Sequence, residues 1–170
     1  MKVFIFCFLI FISAKLKAED GAEFELPLQQ VKWNLGLNGL LGYNEQRGGA
    51  IRLEGDLQYF VADRFSLGVV ARTDLFRGLE NNSLGVVGTY YFYQLSKSAF
   101  YISQSLTWDQ DKRYSTRRQE FLNTQTTLGY NMFLNESFAF GPRLQYDWNP
   151  EDKAYEKGTA FVGFGATMTF

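Results

Sequence analysis

The sequence contains no histidine, one cysteine and three prolines among its 170 residues, and only its first dozen positions hold a sustained apolar run. Each scarcity excludes something. Without histidine, neither a Ser-His nor an Asp-His pair can form, and histidine-based metal sites are closed as well. A lone Cys7 allows no internal disulfide, so stability must come from backbone pairing and burial. Nor is there an excess of one charge. The 17 basic and 18 acidic residues give no basic face for a nucleic acid. What abounds is aromatic and small: 17 Phe, 10 Tyr, 3 Trp and 16 Gly.

At the start, Lys2 precedes an apolar stretch from Val3 to Ile12, followed by Ser13-Ala14 and then Ala18. A stretch of about ten residues is too short to cross a bilayer, which takes roughly 20. A basic start, a short apolar segment and a small residue at the cut predict a secretory signal peptide over residues 1–18, with cleavage after Ala14 as the alternative. A retained membrane anchor is the competing reading. Removal of 1–18 takes away Cys7, three lysines and no acid, leaving 14 basic and 18 acidic groups, a net charge of −4. Residues 19–30 would form a short N-terminal periplasmic lead and 31–170 a single domain.

From Val31 onward the hydropathy alternates with period two, and helical spacing is absent. Eight strands are expected, over 31–41, 51–60, 65–76, 84–93, 100–108, 121–132, 138–148 and 159–170. Nine to twelve residues each suits a tilted transmembrane strand. The fourth has an ambiguous phase, because Val87, Tyr91 and Tyr93 oppose Leu84, Val86, Tyr90 and Phe92. Pro142 cannot donate to a ladder and predicts a bulge or local break in the seventh. Connections near 61–64, 94–98 and 133–137 are tight. Those near 43–50, 77–83, 109–119 and 149–158 are longer and more polar. Three short and four long connections fit an even, up-and-down antiparallel barrel with both ends of the chain on one side.

The apolar faces carry no charge, whereas the opposite faces collect Lys32, Arg52, Glu54, Asp56, Arg72, Asp74, Asp109, Arg143 and Asp147. Alternation alone would also fit a soluble periplasmic barrel with an apolar ligand inside. Aromatic placement argues otherwise. Trp33, Tyr59, Phe65, Tyr90, Phe92, Phe100, Tyr130, Phe138 and Phe170 cluster at the strand ends by the short turns, and Tyr43, Trp108, Tyr146 and Trp148 at the other ends. Two aromatic belts around an aliphatic band are what bilayer interfaces select.

The closing run Phe161-Val162-Gly163-Phe164-Gly165-Ala166-Thr167-Met168-Thr169-Phe170 ends on an aromatic residue with apolar residues at every second place. Here the chain resembles the small eight-stranded β-barrels of the Gram-negative outer membrane, similar to the transmembrane domain of outer membrane protein A. The resemblance implies an all-β transmembrane barrel. It also implies that Phe164, Ala166, Met168 and Phe170 act as an insertion signal for the barrel-assembly machinery. Its plugged, polar interior would be a salt-bridged network in which Arg52, Arg72 and Arg143 engage the neighbouring carboxylates, porin-like only to the extent of a narrow permeability path.

An eight-stranded lumen is about wide enough for side chains to fill it, so charges within it must be paired. No catalytic, cofactor or metal residues are expected. The carboxylates at Glu54, Asp56 and Asp74 have arginines phased beside them and suit charge pairing. The function expected is envelope structure and integrity. The alternatives are the soluble barrel and a surface recognition or adhesion module, for which the loops are short. Lys112, Arg113, Arg117 and Arg118 form a basic hairpin tip suited to lipopolysaccharide phosphates. Neutralising these four together should weaken lipopolysaccharide binding and membrane integrity; unchanged binding removes the contact.

Overall fold

The computed structural model describes residues 32–44, 48–76, 79–95, 97–112, 119–148 and 158–170. Eight strands follow one another: β1 (Trp33–Asn44), β2 (Gly48–Ala62), β3 (Phe65–Phe76), β4 (Leu79–Leu95), β5 (Ser98–Lys112), β6 (Gln119–Phe133), β7 (Phe138–Trp148) and β8 (Thr159–Thr169). Each pairs antiparallel with its neighbours in sequence, and β8 returns to β1, closing the sheet into a barrel. The expected signal peptide and lead lie outside the described residues.

β3 and β7 coincide with the alternating segments, and the other strands deviate from them. β4 begins at Leu79, five residues early, and β5 continues to Lys112. The added residues include Asn81, Asn82 and Ser83, paired across from Asp111, Gln110 and Asp109. Both faces there are polar, so hydropathy no longer marks the strand although the backbone ladder continues. The long connections expected at 43–50 and 77–83 are corrected accordingly: only residues 45–47 and 77–78 separate the strands.

The ambiguous β4 resolves through a bulge. Val87, Thr89 and Tyr91 point inward with Leu84 and Val86 outward; the register then shifts between Tyr91 and Tyr93. The extra residue leaves Phe92 and Tyr93 both exposed on the outside. Two phases were legible in this segment because it contains both.

Pro142 faces outward and leaves the β7–β8 register intact, paired with Phe164. On its other side the β6–β7 ladder runs from Thr124↔Trp148 to Gly129↔Arg143, skips two positions and resumes at Met132↔Phe140 in the same register. The expected disturbance is therefore a local break without a bulge. At the gap Gly141 lies so close to the Tyr130 carbonyl that a methyl group there would collide with backbone. Gly141→Ala should lower unfolding stability by about 1–3 kcal/mol, read from the guanidinium midpoint of the purified protein. Gly39→Ala, with nothing within 4 Å of the added carbon, should leave it unchanged.

Candidate functional site

The barrel wall divides side chains into an outer belt and a lumen, and the chemistry is segregated between them. Outside, Leu35, Leu37, Leu53, Val69, Leu128 and Val162 are exposed. Below them the aromatic belt is continuous in places: Trp33 packs on Tyr59 at 5.1 Å between ring centroids, and Phe100 on Tyr130 at 4.6 Å. Above them stand Tyr43, Trp108, Tyr146 and Trp148, all exposed. Among described side chains on the strands, Glu80 is the one charged group facing out, and it lies beyond Leu84 toward the strand end.

The lumen is layered. At the end near the short turns, Phe60, Tyr91, Ala99, Tyr101, Phe133 and Ala139 form a buried cluster. At the far end Leu40, Ala50 and Phe161 form another. Between these apolar stoppers lies an ionic lattice. Arg52, fully buried, donates from Nε and Nη2 to both Asp74 oxygens at 2.6 Å. It also bridges to Asp147 on β7 through Nη1 at 2.9 Å and Nη2 at 2.5 Å. Its guanidinium sits 3.8 Å from the Phe161 ring centroid, so the ion layer and the outer stopper are in contact.

Arg72 donates from Nη2 to both Asp109 oxygens, at 3.0 and 2.8 Å, and from Nη1 to Gln125 at 2.8 Å. Thr107, Asn123 and Asn81 also donate to Asp109, at 2.8, 3.1 and 3.4 Å. Carboxamides from three strands hold Glu54: Asn38 at 2.8 Å, Gln145 at 3.1 Å and Gln125 at 3.4 Å. Because β2 and β7 are not neighbours in the ring, the Arg52–Asp147 pair spans the lumen from wall to wall.

Arg52, Arg72, Asp74 and Asp147 thus come together, joined by Asp109. Glu54 joins through Gln145 and Gln125, which accept from Arg52 and Arg72, whereas the other expected members do not join this lattice. Asp56 accepts a hydrogen bond from Gln58 at 2.6 Å instead of forming an ion pair. Arg143 is expected to engage a carboxylate; among the described residues it has none within ion-pair distance and its Nε has no hydrogen-bond partner, while its guanidinium lies 5.5 Å from the Tyr101 ring centroid. Gly165 makes room for it, since a methyl group there would strike the guanidinium. Lys32 precedes β1 at the mouth, half-buried, and joins no ion pair among the described residues.

Phe164, Met168 and Phe170 are exposed on the outer surface, with Ala166 on the same face of β8. Lys112 ends β5, whereas Arg113, Arg117 and Arg118 lie outside the described residues. Sequence reasoning missed the stoppers. Leu40, Phe60 and Phe161 occupy lumen positions near strand ends, an apolar interruption of the polar face that could have revealed them. It also passed over Gln104, a polar residue on the outer face.

No protein-family model matches the sequence, and no curated protein does. Solved structures match in fold. The N-terminal β-barrel domain of Pseudomonas aeruginosa OprF aligns with TM-score 0.67 and 18% identity over 83% of this chain and 98% of that one. The outer membrane protein OprG from Pseudomonas aeruginosa gives 0.57 and 13%, covering 86% and 99%. The outer membrane enzyme PagL gives 0.50 and 17%, covering 78% and 97%. At these identities the likeness is one of fold: the chain has the architecture of small eight-stranded outer-membrane barrels.

Arg52→Met should cost about 3–5 kcal/mol, because it strips Asp74 of its ion pair and leaves Asp147 only the longer 4.0 Å contact to Arg72. Removing those charges too, in Arg52→Met/Asp74→Asn/Asp147→Asn, should recover most of the loss in guanidinium unfolding.

Proposed function

We propose that this chain is an integral outer-membrane barrel that contributes to envelope structure and is closed to steady ion flow. The observation that carries the reading is the sorting of side chains by face: aliphatic residues outside between two aromatic belts, ionic residues inside. Exposed to water, a continuous apolar girdle of this extent would drive association. In hydrocarbon it is the stable arrangement, and closure satisfies every strand edge. A soluble ligand-binding barrel needs the opposite parity, with apolar residues lining the cavity. Here the lumen holds arginines and carboxylates.

The closed state is supported by the layering. The polar tier around Glu54, Asp56, Arg143 and Tyr101 encloses a cavity of about 20 Å³, room for roughly one water molecule. Aromatic packing lies to one side of it and the Arg52–Asp147 cross-brace to the other. A non-enzymatic role is supported by the absence of histidine and by the engagement of the arginines and most lumen carboxyls with each other or with amides. PagL is an outer membrane enzyme on the same fold, so this part of the reading rests on this chain's residues and not on its architecture. Export by residues 1–18, recognition of the Phe164–Phe170 ending by the assembly machinery, and contact of the 112–118 segment with lipopolysaccharide belong to the same proposal.

Spin labels at Leu37 and Leu128 should report hydrocarbon in reconstituted membranes, and planar bilayers holding the protein should show no large, steady openings. Labels in water would overturn the membrane reading; sustained channels would overturn the plug.

A further inference from the structure

Polar side chains on the outer face fall into two kinds. Thr73, Asn82 and Glu80 gather at the upper end and satisfy one another: Thr73 Oγ1 donates to Asn82 Oδ1 at 2.8 Å, and Asn82 Nδ2 to Glu80 Oε1 at 2.9 Å. Gln104 is different. It faces outward on β5, midway between Phe100 of the lower belt and Trp108 of the upper one, with Ile102 and Leu106 as its neighbours on that face. At about 3.3 Å per residue and a tilt near 40°, it lies about 10 Å from either belt. Its short side chain cannot reach an interface as a lysine would. Lipid offers no hydrogen-bond partner at that depth, and an amide left unpaired in hydrocarbon is costly.

Half of this need is met within the chain. Thr126 Oγ1, directly across on β6, donates to Gln104 Oε1 at 2.9 Å. Among the described residues nothing accepts from Gln104 Nε2. On the other side its cross-strand neighbour is Gly88, which has no side chain and over which Leu67 and Phe65 lean, so no polar group reaches Gln104 from that strand.

We propose that Gln104 and Thr126 form the centre of a dimer interface on the β4–β5–β6 face, and that the occupant is a second copy of this chain. The inference rests on the outer-membrane reading. Symmetry identifies the partner. Two copies inserted in the same orientation are related by a two-fold axis along the membrane normal, so each residue meets residues at its own depth. A lone mid-depth carboxamide therefore meets its own copy. A carboxamide is self-complementary: each Nε2 donates to the Oε1 or Thr126 hydroxyl of the other copy. Two such bonds form at the axis, with Ile102 and Leu106 of each copy packing around them.

The test uses the full chain in a Cys7→Ser background, reconstituted in liposomes. Leu106→Cys, beside the intact carboxamide on the same outer face, should give a covalent dimer with a short bis-maleimide, whereas Leu37→Cys, exposed on β1 across the ring, should remain monomeric. Gln104→Leu should keep the heat-modifiable gel mobility of the folded barrel. It should weaken self-association, measured by energy transfer between labelled copies, on the order of tenfold, the effect of losing two interprotein hydrogen bonds in a membrane. Equal cross-linking at both positions, a wild-type-like association of Gln104→Leu, or an adduct to a different protein each overturns the proposal. A monomeric Leu106→Cys protein in a background whose Leu37 label still reports hydrocarbon defeats the dimer alone; a label in water defeats the membrane reading with it.

Discussion

When β8 pairs with β1, from Asn34↔Thr169 to Tyr43↔Ala160, the sheet loses both its edges and acquires an inside. Every other property follows from that closure. In an open sheet a strand may slip by one residue at modest cost. In a closed ring such a slip would turn Arg52 toward the aliphatic girdle and Leu53 toward the ionic lattice. Register and chemistry therefore enforce each other around the circumference. The irregularities that persist, the bulge in β4, the register shift between Phe60 and Ala62 in β2 and the interrupted ladder beside Pro142, lie where they do not reverse this sorting.

The lumen answers a harder problem than the surface. Three guanidinium groups and five carboxyls share a space with little water, and desolvation of each charge is expensive unless geometry compensates. The bidentate Arg52–Asp74 pair and the Arg72 Nη2 shared between both Asp109 oxygens supply that geometry, with carboxamides from Gln125, Gln145 and Asn38 filling remaining valences. Where pairing thins out, around Arg143 and Asp56, aromatic rings take over. Tyr101 lies beside the Arg143 guanidinium, and the Phe60–Tyr91–Phe133 cluster continues toward the mouth. The interior thus grades from ionic to aromatic along its axis.

Most of this architecture could be read from the residues in order. Period-two alternation located all eight strands because one face had to be apolar wherever the wall meets a uniform surroundings. β3 and β7 match their alternating segments to the residue. The ends of β4 and β5 were not, since Asn82 and Gln110 continue the ladder where neither face is selected for hydropathy. The charged set was legible as a set, from parity alone. Its pairings were not: whether Asp147 meets Arg52 or Arg143 depends on the tilt of the strands, which sets residues on distant walls at one height. Leu40 and Phe161 were hidden for a related reason, being apolar residues on the face that alternation had marked as polar.

The wall-to-wall brace carries a temporal meaning. Arg52 and Asp147 are 95 positions apart in the chain, whereas the backbone ladder of β2 pairs it with its immediate neighbours β1 and β3. Hairpins can assemble early, but this pair cannot exist until the seventh strand has arrived and the ring is nearly shut. Until then the lumen charges must stay hydrated, so the final step of assembly is the expulsion of water from a half-formed cylinder. Reversing it means wetting a dry ionic lattice all at once. An interaction made that late leaves the rate of assembly nearly untouched and acts as a latch on the finished protein.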